Sequence, residues 1–160
     1  MSEEKKYTLE EAHKYFGAAI HGKVLELLQK TDRTEPENEL MIHSAHASCY
    51  HWLKVGAGVN HQRAEWLIAH VYTELGMAYS ALRHAYRCFE LTKEFRDSVE
   101  DFDWAYAYES IARANALAGN REEALKFMQR AEEAGQAISS IEDRNLFFSD
   151  FISGNWHGLK

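Results

Sequence analysis

Apolar residues recur at three- and four-residue spacing along nearly the whole chain, and the pattern halts at glycines rather than at prolines. One proline among 160 residues is far below the usual share of about 5%. No segment alternates apolar and polar residues as a half-buried strand does, so an all-α chain of about seven helices is expected. Thr8 and Glu11 form a capping box for a first helix from about residue 8 to 30, carrying Leu9, Ala12, Phe16, Ala19, Ile20, Val24 and Leu27. Pro36 suits the first turn of a second, reaching Val55, because a helix leaves that N–H unbonded anyway. Gly56 and Gly58 are expected to end it, and Asn60 to cap a third whose stripe Ala64, Leu67, Ile68, Val71, Leu75 runs to Gly76. A fourth carries Ala81, Leu82, Ala85, Cys88 and Phe89 and fades in the charged stretch from Lys93 to Asp101. The fifth spans about 101 to 118 and stops at Gly119; Asn120 with Glu123 restarts a sixth, which ends near Gly135 or Ala137. Ser139 or Ser140 opens a short seventh bearing Leu146, Phe147, Phe148 and Phe151. The length suits one domain over 1–160, with a disordered N-terminus at 1–7 and an irregular tail at 153–160.

Two of the glycine-punctuated pairs repeat one another. Overlaying Gly76 on Gly119, an offset of 43 residues, puts Ile68 and Ala69 on Ile111 and Ala112, Ala81 and Leu82 on Ala124 and Leu125, and Cys88 on Ala131. Small residues thus recur where helices must approach closely. The segment SIARANALAGNREEALKFMQRA resembles the tetratricopeptide repeat. Tyr108 stands at that family's tryptophan position, Ile111 and Ala112 at its Leu-Gly, and Gly119, Ala124, Leu125 and Ala131 at its turn and second helix. In the earlier copy Ile68, Ala69, Tyr72, Gly76, Ala81 and Leu82 fit, while Glu65 takes the tryptophan position and Trp66 lies one place late. The period exceeds the family's 34 or so residues and the closing proline is missing from both copies, which implies longer helices. The likeness covers about residues 60 to 135, with the first two helices as a degenerate opening pair. It implies a right-handed array of antiparallel helix hairpins that binds a protein or peptide. The whole chain, with its HSAHASCYHW and DFDWAYAYE segments, also resembles a single-domain bacterial family with no established activity.

Charge and composition narrow the partners. A net charge of -7 with no block of Lys or Arg repels phosphate backbones, so nucleic acid is not an expected partner. No apolar run approaches the about 20 residues that span a bilayer, and the N-terminus lacks a signal peptide's apolar core. Two cysteines, Cys49 and Cys88, cannot build a disulfide framework, and a cytoplasmic location is expected.

In tetratricopeptide arrays the first helix of each pair lines a groove, and the resemblance carries that stripe onto Arg63, Trp66 and His70, then Tyr106, Glu109 and Arg113. Arginine forks suit carboxylates and the aromatics supply rigid apolar area, so a peptide or acidic-group pocket is expected. On that reading Arg63 and Arg113 are replaceable without a change in melting point. A homodimer is also expected, because aromatic-rich end helices expose apolar surface.

An alternative function rests on histidine. Helix 2 aligns Glu39, His43, His46 and Tyr50 on one stripe, and His61 and Glu65 lie one turn apart on helix 3. Those groups are candidate ligands for zinc or another divalent transition metal, in a metal-binding or small-molecule-processing protein. Cys49 falls off that stripe. HExxH, paired CxxC and a repeated ExxH are absent, and so are GxSxG, P-loop and dinucleotide motifs. No catalytic residue is assigned and no cofactor is expected on the leading reading. Asp101 and Asp103 read as acidic residues favouring a helix N-terminus, and both cysteines as inert core thiols.

Overall fold

The computed structural model describes residues 2–159; Met1 and Lys160, the outermost residues of the expected disordered start and irregular tail, lie outside the described residues. The described chain is all-helical: α1 Leu9–Gln29, α2 Glu35–Val55, α3 Gly58–Glu74, α4 Ala78–Glu94, α5 Asp101–Ala118, α6 Arg121–Gln136 and α7 Ile141–Ile152. None of these helices is long and apolar enough to cross a membrane.

Start signals read locally are mostly kept. The Thr8 hydroxyl accepts from the Glu11 amide at 3.1 Å while the Glu11 carboxylate accepts from the Thr8 amide at 2.9 Å, the reciprocal capping box. Pro36 sits in the first turn of α2 and Ser140 caps α7, accepting from the Asp143 amide. Two expectations shift. Gly58 opens α3 instead of closing α2, and Asn60 lies inside the first turn, its Oδ1 accepting from the Ala57 amide at 3.0 Å. Asn120 does not cap α6 with its side chain; its amide donates to Asn115 Oδ1 at 3.1 Å, a partner from the preceding helix. Gly76 and Gly119 have φ of +74° and +81°, the left-handed geometry that reverses the chain after a helix and that a Cβ disfavours.

Each helix packs on the next in sequence, and α1 also meets α3, α3 meets α5, and α5 meets α7. α3 therefore joins two apolar clusters. One, built on Val24, Met41, Ala45, Leu67, Ile68 and Val71, ties α1 and α2 to α3. The other runs from Ala69, Ala81 and Ala85 through Ile111, Ala112, Phe127 and Ala131 to Phe147, Phe151 and Trp156. Ala69, Ala81, Ala112, Ala124 and Ala131 are fully buried, which is the close helix approach that the repeated small residues call for. Phe147 of α7 is fully buried against the core, a burial worth about 1.5–3 kcal/mol. The tail is irregular yet anchored: Trp156 is buried and its indole N–H donates to the Phe151 carbonyl at 3.0 Å.

Candidate functional site

The odd-numbered helices and the tail surround a cavity of about 590 Å³, within the about 300–1,000 Å³ usual for small-ligand sites. α1 contributes Leu25 and Leu28, α3 Trp66, His70, Thr73 and Glu74, α5 Tyr106, Glu109 and Arg113, and α7 Leu146 and Asp150. Spacings of three and four keep each helix's contributions on one face. Trp66, His70, Tyr106, Glu109 and Arg113 of the sequence-derived stripe are thus brought together, and Arg63 is not among them.

The aromatic wall is ordered by its own contacts. Trp66 stacks on His70 with ring centroids 5.3 Å apart and meets Tyr106 edge-on at 5.6 Å. The Tyr106 hydroxyl donates to Asp150 Oδ2 at 2.6 Å, linking α5 to α7. Burial and the Asp150 carboxylate both push the phenol well above its ordinary range, so it stays a donor. Burial first, and the Arg113 charge second, push His70 below its usual value, which favours the neutral ring. The buried Trp66 Nε1 has no hydrogen-bond partner among the described residues, and such a donor costs about 1–3 kcal/mol until it finds an acceptor.

Both arginines are already engaged. Arg63 binds the buried Asp103 through Nε and Nη2 at 3.0 and 2.9 Å and lies over the Phe102 ring. Asp103 also accepts from the Glu100 amide, so it serves the start of α5 and an ion pair together. Arg113 donates to Glu109 Oε1 at 3.2 Å and through Nη2 to the carbonyls of Asp150, Phe151 and Ser153 at 2.9, 3.3 and 3.0 Å. Its guanidinium also stands 4.1 Å from the Trp156 ring centroid. Arg113 therefore closes the C-terminal end of α7, where the negative end of the helix dipole favours a cation. The donor edges of both arginines that the sequence reading offered to an acidic ligand are thus met by acceptors of the chain itself.

A second cluster lies between α2, α3 and α4. Glu65, buried, accepts from or pairs with two imidazoles: His84 Nδ1 stands 2.6 Å from Oε2 and His61 Nε2 3.5 Å from Oε1. Burial pushes the Glu65 carboxyl up, but His84 and His61 outweigh it and hold the group below its ordinary range. Cys49, whose thiol burial and the Glu65 charge push up to about 11, completes a set with His61 and Glu65 whose donor atoms lie within 4.8 Å of one another. The expected helix 2 stripe supplies none of these donor atoms, although His46 borders the cluster with its ring 5.4 Å from that of His84. Glu39 and His43 face solvent as a loose pair at 3.9 Å, and His46 Nε2 shares a hydrogen bond with the Tyr72 hydroxyl at 2.8 Å. The buried positions Met41, Ala45, Ser48 and Cys49 set which face of α2 meets the core. That stripe, and not the histidine stripe, was the signal for Cys49. His84 is signalled by the buried neighbours Ala81, Ala85 and Cys88 on α4.

The remaining acidic candidates have structural partners: Asp101 Oδ2 accepts from the Ser139 amide at 2.9 Å. Cys88 is fully buried, its thiol pushed far up by burial. The chain matches no family model, and neither a curated protein nor a solved structure is detectably similar to it.

Proposed function

We propose that the chain is a non-catalytic, tetratricopeptide-like scaffold that accepts the side chains of a peptide segment in the cavity between its odd-numbered helices. The convergence of α1, α3, α5 and α7 on one concave site, with the aromatic pair Trp66 and Tyr106 in its wall, is the observation that carries this reading. The contacts of α1 with α3, α3 with α5, and α5 with α7 support a hairpin array, because stacked pairs bring their first helices side by side.

The lining selects the ligand. Leu25, Leu28 and Leu146 offer apolar area, and Trp66 offers a buried N–H to a backbone carbonyl. With the arginines engaged, the exposed charges of the rim are Glu74, 3.6 Å from Arg33, and Asp150, which accepts from Tyr106 and keeps a second carboxylate oxygen. A segment with an apolar anchor beside a basic residue suits this surface better than an acidic one. Two free thiols fit a reducing compartment, and we place the protein in the cytoplasm.

Selection from a displayed peptide library on the immobilised full chain tests the reading. Enriched peptides are expected to pair an apolar residue with Lys or Arg. Thr73→Trp, which fills the cavity from α3, should weaken them at least tenfold without lowering the melting point, while Thr73→Val should bind as the parent does. Equal binding to the Trp variant overturns the assignment of the site.

A further inference from the structure

Cys49 on α2 and the pair His61 and Glu65 on α3 bring a thiol, an imidazole and a carboxylate to one point. We propose that these three side chains form a zinc-type metal site, with Cys49 Sγ, a ring nitrogen of His61 and an oxygen of Glu65 as ligands and the fourth position open to water or a small ligand. The site faces α2 and α4, apart from the cavity, and does not depend on what the cavity binds.

Geometry favours a small tetrahedral ion. With metal–nitrogen and metal–oxygen bonds of about 2.0–2.2 Å, two ligands at the tetrahedral angle stand about 3.3 Å apart. His61 Nε2 and Glu65 Oε1 already stand 3.5 Å apart, held by one turn of α3. A sulfur and a nitrogen on the same ion stand about 3.6 Å apart. The whole donor set spans no more than 4.8 Å, so closure needs about 1 Å of movement, which a side-chain rotation supplies.

The surroundings suit a metal as well as the donors do. His84 Nδ1, at 2.6 Å from Glu65 Oε2, holds the carboxylate by its other oxygen, leaving Oε1 directed at His61. His84 is itself fixed, stacked on Tyr72 at 5.6 Å and met edge-on by His46 at 5.4 Å. Such outer partners orient metal ligands and tune their affinity. A thiolate in the set selects zinc, cobalt or copper over magnesium and calcium. Half-buried His61 and His84, with exposed His46 beside them, leave a route from solvent. On binding, the Cys49 thiol releases its proton to solvent and the ion exchanges three waters for the three side chains.

An ion-paired His61–Glu65–His84 group without metal would have the same histidine and carboxylate contacts, so the thiol is the discriminating ligand. The untagged full chain, freed of metal by chelator dialysis, is titrated with Co²⁺ alone and then with Zn²⁺. One equivalent of Co²⁺ is expected to produce a near-ultraviolet thiolate-to-cobalt charge-transfer band and visible bands of tetrahedral intensity, all abolished by Zn²⁺. Cys49→Ala should remove the charge-transfer band and Cys88→Ala should keep it. His84→Gln should keep the band with affinity lowered about 10–100-fold. Site-resolved alkylation gives the same answer without a variant: Co²⁺ should protect Cys49 selectively. Absence of the band in the parent, its persistence in Cys49→Ala, unchanged affinity in His84→Gln, or no protection of Cys49 each overturn the proposal.

Discussion

Arg113 separates a ligand-binding guanidinium from one that holds the fold, and Arg113→Met decides between them. The change keeps much of the apolar stem and removes the charge with its hydrogen bonds. Arg113 and Glu109 are paired at 3.2 Å with side chains only 8% and 3% exposed. Removing one partner of so buried a pair costs about 3–5 kcal/mol. The carbonyls of Asp150, Phe151 and Ser153 also lose the cation that closes α7, and the ring of Trp156 loses its contact. For a domain of this length about 2–4 °C accompanies each kcal/mol, so the melting point should fall by about 6–20 °C. Urea unfolding followed by circular dichroism measures the global loss. Hydrogen exchange with peptide-level mass spectrometry should locate it, with α7 and residues 153–159 losing protection before α3 and α4. Adding Glu109→Gln to the variant should recover part of the loss, because the buried carboxylate that lost its guanidinium is replaced by a neutral amide. A variant within about 1 kcal/mol of the parent, with unchanged exchange in α7, would refute the structural role and return Arg113 to the candidate ligand contacts.

Two further perturbations probe packing and protonation. At Gly135 an added Cβ would stand 2.4 Å from Phe147 Cε1, and Phe147 is fully buried with Tyr106, Phe148 and Phe151 around it. Alanine's helix preference is worth about 0.8–1.0 kcal/mol, whereas overpacking costs about 1–3 kcal/mol, so Gly135→Ala should lower the urea midpoint; a rise would contradict the packing of α7 on α6. His70 is held below its ordinary value of 6.5 by burial and then by Arg113. Above that value the ring is neutral folded and unfolded, and its protonation has no bearing on stability. As pH falls below it, the unfolded chain takes the proton more readily, so stability declines until the depressed folded value is passed and then levels off. An NMR titration should place the His70 midpoint under 6.5, and His70→Asn should reduce the loss of stability between pH 7 and pH 5. A midpoint at or above the ordinary value would contradict the burial argument.

Local chemistry made the helices legible. Thr8, Pro36, Ser140, Gly76 and Gly119 act within one turn of their own position, through a cap bond, a fixed φ or a tolerated positive φ. Sequence spacing alone therefore located their boundaries and the small residues that let helices meet. The tetratricopeptide resemblance implied a shared groove face for Arg63, Trp66, His70, Tyr106, Glu109 and Arg113, and all of these but Arg63 line one cavity. What a side chain does on its face was decided by distant partners. Arg113 meets carbonyls of α7 and the tail, Arg63 meets Asp103, and Glu65 meets His84, all across gaps that no periodic pattern reports. Cys49 reads as a core thiol because it sits on the apolar stripe of α2, and that same burial brings it to His61 and Glu65. Periodicity assigns a residue to a side of its helix; only the packing of one helix on another chooses which opposing group reaches it, because hydrogen bonds and coordination depend on contacts of a few ångströms between segments far apart in sequence.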